Sequence, residues 1–199
     1  MNNKILFLLI TFIIQTNAFS QEYLPFEKKI FNKDSIAFFS IQSLNGTNTH
    51  LSRYSKEILV IVFLSPECPL CKNYSTKLSH LKNKYKAQVE FIGIIPGSFD
   101  ANEVIEFQKN YLPAWQLFRD KSLLLTHYLE GKVTPEVLVI NNKNGQLIYK
   151  GAIDDWLVSL GKTRNHTSNF YLDNALHSFL NNKHAVAFTK PIGCLINDF

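Results

Sequence analysis

The interior of the chain carries one unbroken apolar stretch, Ile58-Leu59-Val60-Ile61-Val62-Phe63-Leu64. It is rich in β-branched residues and apolar at both odd and even positions, so it predicts a strand buried on both faces, in the middle of a sheet. Past Cys71 the period changes. Tyr74, Leu78, Leu81 and Tyr85 recur at helical spacing, with Lys72, Lys77, Lys82, Lys84 and Lys86 between them, which predicts an amphipathic helix. Gln88 to Ile95 is a second apolar strand, ended by Pro96-Gly97. Strand, helix and strand in this order imply a parallel pair joined by a right-handed crossover.

The flanking pattern is read the same way. Ser35–Leu44 and Thr47–Leu51 bracket Asn45-Gly46, a tight-turn signal that predicts a hairpin. Ala101–Tyr111 predicts a helix with Val104, Ile105 and Phe107 inward and Ser98 or Asp100 as its cap. Pro113-Ala114-Trp115 breaks that helix, and Leu117-Phe118 is a short strand-like piece. Ser122–Leu129 predicts another helix, closed by Gly131. Glu136–Ile140 and Gln146–Lys150 flank Asn141-Asn142-Lys143-Asn144-Gly145 as an antiparallel hairpin. Thr167–Leu180 is the last long helix, with Phe170, Tyr171, Leu172, Ala175, Leu176 and Phe179 inward; beyond it residues 181–199 read as a tail crossing the surface. The whole fits one α/β domain with helices on both faces of a mixed sheet.

Composition adds little to this picture but excludes several classes. The chain has 199 residues, 46% hydrophobic and 19% charged, enough for one sizeable core. Its net charge of +5 comes largely from the lysines after Cys71. They read as a solvated helix face, and no interleaving of aromatic and basic residues points to nucleic acid. Residues 1–20 have a basic start (Met1-Asn2-Asn3-Lys4), an apolar core (Ile5–Ile14) and a polar end at Ala18-Phe19-Ser20. That is the pattern of a cleaved signal peptide, with cleavage after Ala18 as the alternative. The apolar core is too short for a membrane span, which needs about 20 residues. The expected organisation is therefore signal peptide 1–20, N-terminal arm 21–34, domain 35–183 and tail 184–199 with Cys194. The expected location is the periplasm, or secretion, with no stable membrane insertion after cleavage.

The candidate chemistry lies in Cys68-Pro69-Leu70-Cys71, where the buried strand ends and the helix begins. Unpaired backbone N–H groups and the positive end of the helix dipole favour thiolate there. Thiolate is the form that attacks a disulfide. Pro69 suits the first helical turn, where its missing N–H costs nothing. Other uses of the pair are a structural bridge or half of a zinc site. No second Cys-x-x-Cys accompanies it, and Lys72 stands where a c-type haem site needs histidine. No metal or other cofactor is expected. With Cys194 the cysteines number three, and an odd count leaves one thiol without a permanent partner.

This strand–Cys-Pro-x-Cys–helix arrangement resembles thioredoxin-fold thiol–disulfide oxidoreductases and the redoxins related to them, within the superfamily that includes alkyl hydroperoxide reductases. Val133-Thr134-Pro135-Glu136-Val137-Leu138-Val139-Ile140 is similar to the loop and strand in which such proteins carry a cis-proline. Gly151-x-Ile153-Asp154-Asp155, Arg164, Thr167, Tyr171-Leu172-x-x-Ala175-Leu176 and Gly193-Cys194-x-Ile196 resemble a bacterial subgroup of redoxin-domain proteins. The resemblance implies a thioredoxin-like fold: a central mixed β-sheet flanked by helices, with an N-terminal β-hairpin. It implies Cys68 as the attacking thiol and Cys71 as the resolving one. A cis Pro135 would turn the Thr134 backbone toward Cys68, where an extended substrate could pair with it. In that subgroup a terminal Gly-Cys recurs, which makes Cys194 an alternative partner for Cys68; a partly buried free thiol is the other reading.

The implied activity is exchange with protein or small-molecule thiols and disulfides, with a redox partner protein. Its rivals are a peroxiredoxin-like thiol peroxidase and a copper chaperone in which His127 joins Cys68 and Cys71. Four residues depart from thioredoxin itself or from peroxiredoxins. Glu67 puts a negative charge beside Cys68, Val62 stands where thioredoxin buries an aspartate, and Ile61 and Ser65 replace the peroxiredoxin proline and threonine. Asp154, Asp155 and Arg164 read as ion pairs holding the loop before the last helix.

Overall fold

The computed structural model describes residues 30–32, 34, 36, 39–183 and 187–196. The expected signal peptide and most of the expected arm lie outside them. In chain order the strands are β1 (Ser40–Ser43), β2 (Asn48–His50), β3 (Ile58–Phe63), β4 (Val89–Pro96), β5 (Gln116–Asp120), β6 (Val133–Thr134), β7 (Glu136–Asn141), β8 (Leu147–Gly151), β9 (Leu157–Ser159), β10 (Lys162–Thr163) and β11 (Cys194–Leu195). Seven of them form the main sheet, in the order β2-β1-β5-β4-β3-β7-β8. There β3, β4 and β5 run parallel, while β7 and β8 on one side and β1 and β2 on the other are antiparallel. β9 and β10 make a small hairpin of their own. The expected crossover is α1 (Pro69–Tyr85), which links β3 to β4.

All six residues of β3 are buried, and they split between the two faces. Val60 and Val62 pack with α1, with α2 (Ala101–Tyr111) and with α4 (Tyr171–Leu180). Leu59, Ile61 and Phe63 pack on the opposite face with Phe31, Leu51 and the short α3 (Leu124–Tyr128). Each such side chain contributes about 1.5–3 kcal/mol on burial, which is why this strand shows no polar alternation. On α1 the four expected core positions, Tyr74, Leu78, Leu81 and Tyr85, are all buried.

Several elements differ from their sequence pattern for local reasons. β1 begins at Ser40, with Ile36 in helical conformation rather than strand. Phe31, in the expected loose arm, is buried and its N–H donates to Gly145 O. α2 has the expected bounds and the Asp100 cap, but Ile105 faces solvent while Val104 and Phe107 are buried. α3 is only one turn and a half because Leu123 sits in the left-handed region (φ 58°) and Asp120 accepts from the N–H and hydroxyl of Thr126. α4 starts at Tyr171 rather than Thr167 because Ser168 and Asn169 spend their N–H groups on Asp155. Phe170, just before it, is exposed.

The tail is not a loose surface crossing. Lys150 on β8 donates its N–H to Ala187 O and accepts from Thr189 N, both at 3.0 Å. Farther on, β11 pairs antiparallel with β6. The tail thus returns along the sheet edge to the end of β3, where the cysteine motif lies.

Candidate active site

Cys68 is the N-cap of α1 and Pro69 opens the helix, as the strand–helix junction predicts. The Cys68 carbonyl accepts from Cys71 N at 3.0 Å, and no acidic residue sits in the first turn of the helix. Thr134–Pro135 is a cis peptide bond, and Thr134 O lies 3.1 Å from Cys68 Sγ. In the reduced protein that carbonyl would accept the Cys68 thiol. The expectation that the Thr134 backbone faces the first cysteine agrees with this geometry.

The partner of Cys68 differs from the first expectation. Cys68 is bonded to Cys194, 126 positions further along the chain, with the Cα atoms 6.1 Å apart; Cys71 is a buried free thiol. The sulfur bridge is set by strand pairing. Cys194 stands opposite Thr134 and Leu195 opposite Val133, while Ile196 donates its N–H to Lys132 O at 3.1 Å and buries its side chain. Gly193 makes the approach possible. A Cβ there would press on the Thr134 carbonyl oxygen and lie 2.8 Å from its carbonyl carbon, closer than real side chains come. Covered by this segment, Cys68 is only 2% exposed. A cleft of about 490 Å³ remains beside the bridge, lined by Glu67, Cys68, Phe99, Thr134, Cys194 and Leu195.

Cys71 lies one turn into α1 and is completely buried. The Ser65 N–H points at its sulfur from 3.4 Å. Burial pushes the thiol up to about 12; the Ser65 N–H, the Thr134 hydroxyl and the Lys72 charge act in the opposite direction and do not overcome it. Thr134 Oγ1 is itself buried and has no hydrogen-bond partner among the described residues. Neither Ser65 nor the Thr134 hydroxyl stands out in the sequence as a group acting on a thiol. For Thr134 the motif points only to its backbone.

The surrounding polar residues hold this arrangement in place. Glu136, next to Pro135, is 1% exposed; its Oε2 accepts from Lys132 N at 2.8 Å, and its Oε1 pairs with Lys150 Nζ at 3.5 Å. That ties both ends of the loop carrying Thr134. Asp154 is buried and accepts from the Tyr74 hydroxyl at 2.8 Å and from Trp156 N at 3.0 Å, with Lys77 as its ion partner. Asp155 accepts from Ser168 and Asn169, and it pairs with the Arg164 guanidinium at 3.7 Å. The loop-holding role expected for Asp154, Asp155 and Arg164 matches these contacts. Among the described residues no three of His, Cys, Asp and Glu form a group that could hold a metal ion, so His127 does not join the cysteines.

The comparisons with known proteins agree with this architecture. Residues 32–155 match the family model described as Redoxin. A curated relative, a probable phospholipid hydroperoxide glutathione peroxidase of Citrus sinensis, is 33% identical over 73 residues, 36% of this chain and 44% of the relative; the match thus spans less than half of that protein. A hypothetical protein of Sinorhizobium meliloti has a similar structure, with a TM-score of 0.70 at 20% identity, over 81% of this chain and 91% of the other. A secreted Mycobacterium tuberculosis disulfide oxidoreductase, described as homologous to DsbE of E. coli, aligns with a TM-score of 0.50 at 18% identity, over 57% and 83%. The mixed sheet, flanking helices and N-terminal hairpin form a thioredoxin-like fold, and the chain belongs to the redoxin family.

Proposed function

We propose that the protein is a thiol–disulfide oxidoreductase in which Cys68 is the exchanging sulfur and Cys194 closes the cycle. The observation that carries this reading is the Cys68–Cys194 bond at the first turn of α1. The Cys68 thiolate attacks one sulfur of a partner disulfide, and the partner's other sulfur leaves as a thiol. Cys194 then attacks Cys68 Sγ, releases the second partner thiol and leaves the Cys68–Cys194 bridge. Two electrons pass from this chain to the partner, and the reverse sequence oxidises a partner dithiol. Val133 and Thr134 form the edge on which an extended segment pairs, as the tail does here, and the cis Pro135 follows directly after it. Cys71 stands ready as a second resolving thiol from within the motif. Export to an oxidising compartment such as the periplasm suits a bridge of this kind. The secreted oxidoreductase of similar fold supports that location, and among the described residues no helix is long and apolar enough to cross a membrane.

The test is reduction or oxidation of a model protein disulfide by wild type and by Cys68→Ser. Exchange that disappears in Cys68→Ser supports the reading, and exchange that persists refutes it. A thiol peroxidase is the second reading, favoured by the peroxidase named among the relatives. There Cys68 is oxidised to a sulfenic acid by a hydroperoxide, and Cys194 condenses with it, releasing water. Peroxide consumption that depends on Cys68 and outpaces disulfide exchange selects this alternative.

A further inference from the structure

The bridge leaves one nucleophilic group unused. Cys71 is a buried free thiol one helical turn from Cys68, and two donors converge on it. The Ser65 N–H lies 3.4 Å from its sulfur. The Thr134 hydroxyl is buried, has no hydrogen-bond partner among the described residues, and draws the same thiol toward its anion. A buried hydroxyl without a partner costs free energy, and its retention is explained if it serves a charged state formed in the reaction. An anion on Cys71 is the state these two donors would serve.

We propose that Cys71 attacks Cys68 Sγ and displaces Cys194, converting the Cys68–Cys194 bridge into a Cys68–Cys71 bridge. This deepens the exchange chemistry assigned to Cys68 and rests on it. Cys71 gives up its proton to solvent, its sulfur bonds to Cys68 Sγ, the Cys68–Cys194 bond breaks, and Cys194 leaves as a thiolate that takes up a proton. No electrons are gained or lost, so no external oxidant or reductant is needed. The consequence reaches beyond the sulfurs. Cys194 is half of the two-residue strand that occupies the Val133–Thr134 edge. Its release frees that edge and uncovers Cys68 for a partner. The tail bridge is thus a closed oxidised state, the motif bridge an open one, and Cys71 connects them. Thr134 is the positioning residue for the step, through its hydroxyl rather than its backbone.

The experiment follows the free thiol. The full oxidised chain is incubated without reductant at pH 7 to 9.5, quenched in acid, labelled with a maleimide in denaturant and mapped by mass spectrometry. Label moving from Cys71 to Cys194 with first-order kinetics, at a rate independent of protein concentration, supports the relay. Thr134→Val is expected to slow that movement about tenfold or more, the effect of removing a hydrogen bond to a charged group, and Thr134→Ser to restore it. Label confined to Cys71 at every pH, or movement whose rate rises with protein concentration, overturns the proposal. The Cys68→Ser exchange assay reads the underlying function separately. If Cys68-dependent exchange stands while Cys194 never gains label, the relay alone fails.

Discussion

The sharpest perturbation of the site is Gly193→Ala. Gly193 lies outside the left-handed region, so an alanine there meets no backbone strain. What it meets is the Thr134 main chain, 2.8 Å from the carbonyl carbon and 3.2 Å from the nitrogen. That main chain is anchored on the side away from the tail: Glu136 accepts from the Lys132 N–H and pairs with the buried Lys150. The tail must move instead, at the cost of overpacking, about 1–3 kcal/mol. Every 1.4 kcal/mol is tenfold in an equilibrium constant, so closure of the Cys68–Cys194 bridge should weaken about 5- to 150-fold. The assay takes Cys71→Ser chains with and without Gly193→Ala and equilibrates each with graded glutathione redox buffers. Acid quenching and labelling then give the fraction bridged. A closure constant unchanged within twofold would refute the strand-pairing account of how Cys194 reaches Cys68.

Other expectations follow from the same contacts. Lys150→Met removes the partner of a fully buried Glu136, and breaking such a pair costs about 3–5 kcal/mol; thermal unfolding should show a Tm lower by roughly 6–20 °C, at about 2–4 °C per kcal/mol for a chain this size. Tyr74→Phe leaves Asp154 without its buried hydroxyl donor, a loss of about 1–3 kcal/mol measurable by urea unfolding. Asp155, held below its usual 3.8 by the Asn169 N–H foremost, contributes stability that is complete above that value and is lost as pH falls through its lower folded value; the stability gap between wild type and Asp155→Asn should therefore close below about pH 4. The free Cys71 thiol, raised by burial to about 12 against Ser65, Thr134 and Lys72, should make the label movement from Cys71 to Cys194 about tenfold faster per pH unit between 7 and 9.5, and a flat profile contradicts that assignment.

The parts of this molecule legible in the sequence are those set by local pattern. β3, α1 and β4 follow from burial on both faces or on one stripe, and their bounds agree with the hydrophobic period. α4 is legible only in its core. Its start depends on Asp155 capturing the N–H groups of Ser168 and Asn169, a contact between residues 13 and 14 positions apart. The site divides in the same way. That Cys68 caps a helix is a local fact. That its sulfur is bonded to Cys194, 126 positions on, depends on a tail strand too short and irregular to show periodicity. The Gly193-Cys194 doublet is its only trace, and it acquires meaning through family resemblance. The role of the Thr134 hydroxyl leaves no trace, because a buried threonine in a strand ordinarily reads as packing.

Peptide mapping of the freshly oxidised protein, acid-quenched from neutral pH, decides which cysteine holds Cys68. The expected map has a Cys68–Cys194 linked peptide with the label on Cys71. A map that shows Cys68 joined only to Cys71, with no Cys68–Cys194 bridge formed even in Cys71→Ser, would contradict it.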